Sequence, residues 1–148
     1  MKKQIVIGHL FTLLLGCFIY ISFRKDTLII FNWLDRINAL KFISDYRLFT
    51  ISYSDNLPNW FLYSLPDGLW LFSYISVLLA FWDNTISKHN IHWILLVPIL
   101  AIFMEFFQLF YIKTGTFDIL DIIFYLLGTL LPILIFTNFK INKYEKND

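Results

Sequence analysis

Residues 91–131, IHWILLVPILAIFMEFFQLFYIKTGTFDILDIIFYLLGTLL, decide the fold. Two apolar stretches of membrane-crossing length flank the connector Lys113-Thr114-Gly115-Thr116. That connector is too short for anything but a tight turn, so the two arms are expected to run antiparallel as neighbours. Each arm carries two polar residues three positions apart: Glu105 and Gln108 on the first, Asp118 and Asp121 on the second. This spacing puts each pair on one side of its helix. An ionisable residue within an apolar span costs on the order of 3–10 kcal/mol at the bilayer centre. Three acids near one level therefore mark a candidate site.

Bulk properties agree with a membrane chain. The 148 residues are 58% hydrophobic and 20% aromatic, while charged residues fall to 16%. Soluble domains carry about 25% charged residues, so this balance points to lipid. The length allows one domain. A formal net charge of +1 provides no basic footprint, and no nucleic-acid partner is expected. The single Cys17 excludes an intrachain disulfide and a cysteine-based zinc cluster.

Working outward, spans are expected at about residues 5–23, 67–82, 91–112 and 117–136. The first follows Lys2 and Lys3 and contains Leu14-Leu15-Gly16-Cys17, which resembles a lipobox with Cys17 as the lipidated residue. The bulk of Leu15 and the apolar continuation through Phe18, Ile19, Tyr20 and Ile21 favour a retained helix instead. In residues 24–66, five basic residues (Arg24, Lys25, Arg36, Lys41, Arg47) alternate with four aspartates. Ile30, Trp33, Leu34, Ile37 and Leu40 follow helical spacing, which predicts an amphipathic helix over 28–43. Such a helix lies in the membrane interface or caps the bundle. Asp67, early in the second span, is placed to cap its N-terminus. Pro98 and Pro132 fall inside spans, where membrane helices tolerate them. The expected fold is all-α: a polytopic membrane protein with four transmembrane helices and an amphipathic interfacial helix in the first external loop.

Lysine placement orients the chain. Lys2, Lys3, Lys88, Lys140, Lys143 and Lys146 gather on one side, and Lys113 faces them in the last short loop. Both termini are therefore expected in the cytoplasm. Asp67, Glu105, Gln108, Asp118 and Asp121 then fall near the outer face. Glu105 lies about 10 Å and Asp121 about 6 Å below the ends of their helices, close enough in depth to share a pocket. Ala101 and Gly128 are small residues that would let the two arms approach closely.

The pattern E-x-x-Q, a turn with glycine, F-D-x-x-D, an aromatic and a glycine resembles the VanZ-like family of small bacterial membrane proteins. Glu105, Gln108, Gly115, Phe117, Asp118, Asp121, Tyr125 and Gly128 carry the resemblance, and the Asp67 region is similar to the acidic start of an earlier helix in that family. It covers residues 66–132 and implies a bacterial inner-membrane protein with a role in the cell envelope or in glycopeptide response. Thr116 stands where the family often has arginine, and Gly68 and Leu71 where it often has lysine and histidine. These positions supply no basic partner to the acids.

The residues leave several chemistries open. Asp67, Trp70, Glu105, Gln108, Asp118, Asp121 and Tyr125 form a candidate binding set for the headgroup of a membrane lipid or lipid-linked cell-wall precursor, with Trp60 and Trp70 as stacking platforms. A divalent cation at Glu105, Asp118 and Asp121 is the alternative, because oxygen-only ligands suit magnesium or calcium and a metal supports chemistry on a lipid phosphate. No nucleophile stands beside a base: His9 lies in the first span, and His89 and His92 belong to the opposite face. An ion pathway would require an oligomer. In a purely structural reading, Glu105 and Gln108 bond to Asp118, Asp121 or a helix end and lock the hairpin. The expected function is headgroup binding without a resident cofactor.

Overall fold

The computed structural model describes residues 2–24, 29–110 and 116–137. The expected turn at Lys113, Thr114 and Gly115, the stretch 25–28 and the basic tail with Lys140, Lys143 and Lys146 lie outside the described residues. The chain is all-helical, with no strand among the described residues. The order is α1 (Gln4–Phe23), α2 (Ile29–Arg36), α3 (Leu40–Thr50), a 3-10 turn (Ile51–Asn56), α4 (Asn59–Leu62), α5 (Ser64–Phe81), α6 (Ile91–Leu109) and α7 (Ile119–Phe136). Four of these, α1, α5, α6 and α7, are long and apolar enough to cross a membrane, at the places the hydropathy indicated. Their outer faces carry large exposed apolar side chains, among them Leu14, Phe18, Leu100, Phe103, Leu130 and Leu134. This is the surface of a membrane-embedded chain, satisfied by lipid and with its backbone hydrogen bonds closed inside helices.

The packing centre is α5 and not the α6–α7 hairpin. α5 lies chiefly against α7 and secondarily against α1, while α6 touches the others lightly. The reason is a pair of glycines. A Cβ on Gly128 would sit 2.2 Å from the carbonyl oxygen of Gly68, so the two backbones are in direct contact. Gly128 therefore does permit close approach, but toward α5 rather than α6. Below this seam, Ile75, Leu79 and Ile94 form the buried core.

α1 is fastened to α5 by polar side chains. The Gln4 amide donates to the carbonyl of Ser76 at 3.0 Å and to Asn84 Oδ1 at 2.8 Å, and His9 Nδ1 meets Ser73 Oγ at 2.7 Å. Its first two turns, Gln4–Phe11, are wound as a π-helix. Thr12 Oγ1 bonds back to the carbonyls of Gly8 and His9 where the α-helix takes over.

The first loop corrects one expectation. The helix expected over 28–43 is broken: Asn38 takes a left-handed φ of 57°, and its N–H reaches the Asp35 carbonyl while the Ala39 N–H reaches that of Leu34. This pair of bonds is a Schellman stop, and asparagine tolerates the left-handed turn better than most residues. α2 is amphipathic as expected: Phe31 is buried, while Trp33 and, just beyond the helix, Ile37 are exposed. α3 then runs back over the end of α1. The buried Arg47 donates to the carbonyls of Ile21 and Arg24, and Thr50 Oγ1 donates to that of Ser22 at 3.0 Å. Carbonyls at a helix C-terminus have no intrahelical partner, and a guanidinium there both bonds them and opposes the helix dipole.

Candidate functional site

At the end of the bundle holding the C-terminus of α1 and the N-termini of α5 and α7, a cavity of about 590 Å³ opens. Its walls bring together Asp67, Glu105, Gln108, Asp118, Asp121 and Tyr125, six of the seven residues singled out from the sequence. Helix geometry explains the convergence. Asp118, Asp121 and Tyr125 share one side of α7 and its N-cap, Glu105 and Gln108 share one side of α6, and Asp67 lies one turn into α5.

Two of the acids are tied up in architecture. Glu105, only 2% exposed, accepts the backbone N–H of Asp118 on Oε1 at 2.9 Å. Asp118 in turn is the N-cap of α7, its Oδ1 accepting the Leu120 N–H at 2.9 Å. An N-cap of this kind is worth about 1 kcal/mol. Asp67, by contrast, is not a cap. α5 starts three residues earlier at Ser64, and Asp67 sits within the first turns with its carboxylate on the cavity wall. The positive end of the helix still favours a negative charge there. Asp121 Oδ1 is buried without a hydrogen-bond partner among the described residues.

Trp70 is the exception. Its ring packs against Tyr20 with centroids 5.1 Å apart, and a Cβ on Gly16 would fall 2.7 Å from its Nε1. It is a wedge between α1 and α5 and does not line the cavity. Trp60 is engaged as well, stacked on Phe124 at 5.8 Å and 12°. The aromatic walls of the cavity are Tyr63 and Tyr125 instead.

No basic side chain was expected beside these acids, and the structure brings one to them. Arg24 lines the same cavity, its guanidinium lying 5.1 Å from the Tyr20 ring centroid and 4.8 Å from that of Tyr63. Two aromatic faces hold the charge by cation–π attraction. Arg24 Nε is buried without a hydrogen-bond partner among the described residues. Asn59, Tyr63 and Thr116 complete the wall. The available signal was positional: Arg24 directly follows the first span, and that end of α1 shares a level with the start of α5.

The arrangement offers four carboxylates, one guanidinium, two amides and two phenols around a space large enough for a polar group. Among the described residues, no three histidine, cysteine, aspartate or glutamate side chains converge closely enough to hold one metal ion. No known protein family, characterised protein or solved structure matches the chain.

Proposed function

We propose that this chain is a multi-pass protein of the bacterial inner membrane, VanZ-like in its acidic hairpin, that binds the headgroup of an envelope lipid or lipid-linked cell-wall precursor. In this reading both termini are cytoplasmic and the cavity opens at the outer face. One observation carries it: an acceptor, Asp121 Oδ1, and a donor, Arg24 Nε, are both buried without hydrogen-bond partners among the described residues, on side chains that line one cavity. Buried polar groups left without partners are costly, and a ligand with matching groups would relieve both. An ammonium or sugar hydroxyl suits Asp67 and Asp121, and a phosphate suits Arg24 through charge-assisted hydrogen bonds.

A structural role accounts for part of the same cluster, because Glu105 accepts the backbone N–H of Asp118 and Asp118 caps α7. The divalent-cation alternative has less behind it. Two of its three ligands, Glu105 and Asp118, already accept backbone hydrogen bonds.

The test is thermal unfolding in detergent with and without phosphatidylethanolamine, whose headgroup carries both an amine and a phosphate. The parent should be stabilised by the lipid, Asp121→Asn and Arg24→Gln should lose that stabilisation, and Asp118→Asn, which keeps an N-cap acceptor, should retain it. Equal lipid response in all four proteins, or none in the parent, would remove the headgroup reading.

A further inference from the structure

We propose that α3 lies on the membrane surface and that the groove between it and α1 holds the acyl chain of a bilayer lipid. The groove has a volume of about 340 Å³ and is lined by Phe18, Ile21 and Ser22 of α1 and by Phe42, Ile43 and Tyr46 of α3. Only two of these residues have polar side-chain atoms, and they satisfy each other. Ser22 Oγ donates to the Phe18 carbonyl at 2.6 Å and lies 3.1 Å from the Tyr46 hydroxyl, which is then left as the donor of that pair. Water holds a site when it finds two to four polar partners. This groove offers it almost none, and an alkyl chain needs none.

The depth of the groove is fixed by covalent and hydrogen-bonded structure. Arg47 and Thr50 bond to the carbonyls of Ile21, Ser22 and Arg24, so α3 is pinned to the last turn of a membrane-length helix. That is the level of the lipid headgroups and upper acyl carbons, where amphipathic helices lie in the interface.

The exposed surface is continuous across the junction. On α1, Ile7, Phe11, Leu14 and Phe18 recur at intervals of four, three and four and are all exposed. Phe18 meets Tyr46 with ring centroids 5.9 Å apart. From there Phe42, Tyr46, Phe49 and Tyr53 repeat the same intervals along α3 and the 3-10 turn, with Phe42 88% exposed and Phe49 67% exposed. Phe49 and Tyr53 touch at 5.3 Å. At 100° per residue, Lys41 and Ser44 point away from this aromatic stripe. A single apolar band thus runs from the face α1 presents to lipid onto one side of α3, with tyrosines of the kind enriched at the membrane–water boundary.

The experiment uses nitroxide labels on single cysteines in a Cys17→Ser parent, reconstituted into phosphatidylcholine–phosphatidylglycerol vesicles. Collision with oxygen, which favours lipid, is compared with collision with a nickel chelate, which stays in water. Labels at Phe42→Cys, Phe49→Cys and Ile43→Cys should behave like Leu14→Cys, with an oxygen-to-nickel ratio several-fold above that of Ser44→Cys. The Leu14→Cys label shows independently that α1 is inserted. Ratios at Phe42→Cys and Phe49→Cys equal to that at Ser44→Cys would place α3 in water and overturn the proposal. Nickel access at Ile43→Cys would show a water-filled groove and overturn the acyl-chain assignment. Spectral broadening at Phe49→Cys that disappears on dilution with unlabelled protein would make a second copy the occupant, with the same consequence.

Discussion

The Glu105 carboxylate and the backbone N–H of Asp118 meet at 2.9 Å, joining α6 near its C-terminal end to the residue that caps α7. An N–H at a helix start has no intrahelical partner, so this bond fills a requirement of the chain itself. Glu105→Gln keeps an acceptor of the same reach and should lose less than about 1 kcal/mol, whereas Glu105→Ala should lose about 1–3 kcal/mol by stranding the N–H. Thermal unfolding of the two variants in one detergent checks this. Equal losses would show that charge, and not the hydrogen bond, is what the position requires.

The α5–α7 seam should be the most sensitive apolar position in the molecule. Gly128→Ala places a methyl 2.2 Å from the backbone oxygen of Gly68, and backbone cannot rotate aside as a side chain would. The helices must separate, at a cost of about 1–3 kcal/mol. Gly8→Ala should cost less, because its nearest neighbour is the ring edge of Phe136 at 3.0 Å. Comparative unfolding of the two variants tests the order, and a reversed order would deny the glycine seam its central role.

Arg47 should hold the first loop to the bundle. Arg47→Met removes donors to the Ile21 and Arg24 carbonyls and should cost on the order of 3 kcal/mol. Hydrogen exchange should accelerate in α3 and in the last turn of α1 while α5 and α7 remain protected. Uniform acceleration throughout would indicate global destabilisation without a local role as a clamp.

Orientation is open to a direct chemical test in intact cells. In a Cys17→Ser parent, a cysteine at Ser87 should be protected from an impermeant thiol reagent, and one at Thr116 should react. The opposite labelling pattern would turn the cavity toward the cytoplasm.

How much of this was legible beforehand follows from what each signal measures. Hydropathy reports a property summed over one segment, so the four spans were found to within a few residues at most ends. Helical spacing reports which residues share a side, so Glu105 with Gln108 and Asp118 with Asp121 were correctly paired, and all four line one cavity. Neither signal says which helix a side faces. Trp70 shares its helix with Asp67 yet turns to Tyr20 and Gly16, and Gly128 meets Gly68 rather than α6. Loop charges were the other blind spot. Arg24 and Arg47 read as ordinary members of a mixed-charge stretch, but unpaired carbonyls at the end of α1 draw in Arg47, and two tyrosine rings retain Arg24. The break at Asn38 was hidden because residues 37 and 40 continue the apolar rhythm across it.

The contact between Gly68 and Gly128 also sets an order of assembly during synthesis. α5 leaves the ribosome well before α7, with α6 between them, and α6 touches α5 only lightly. Until the last span is threaded into the bilayer, the glycine face of α5 has lipid against it and Asp67 has no completed wall around it. Chains that stop short of Ile119 should consequently present an acid and bare backbone to the membrane, the kind of nascent product that quality-control proteases remove. A pulse-chase comparison of the full chain with one ending at Gln108 would reveal this as a shorter lifetime for the truncated form, and equal lifetimes would show that α5 and its neighbours are already a finished unit without α7.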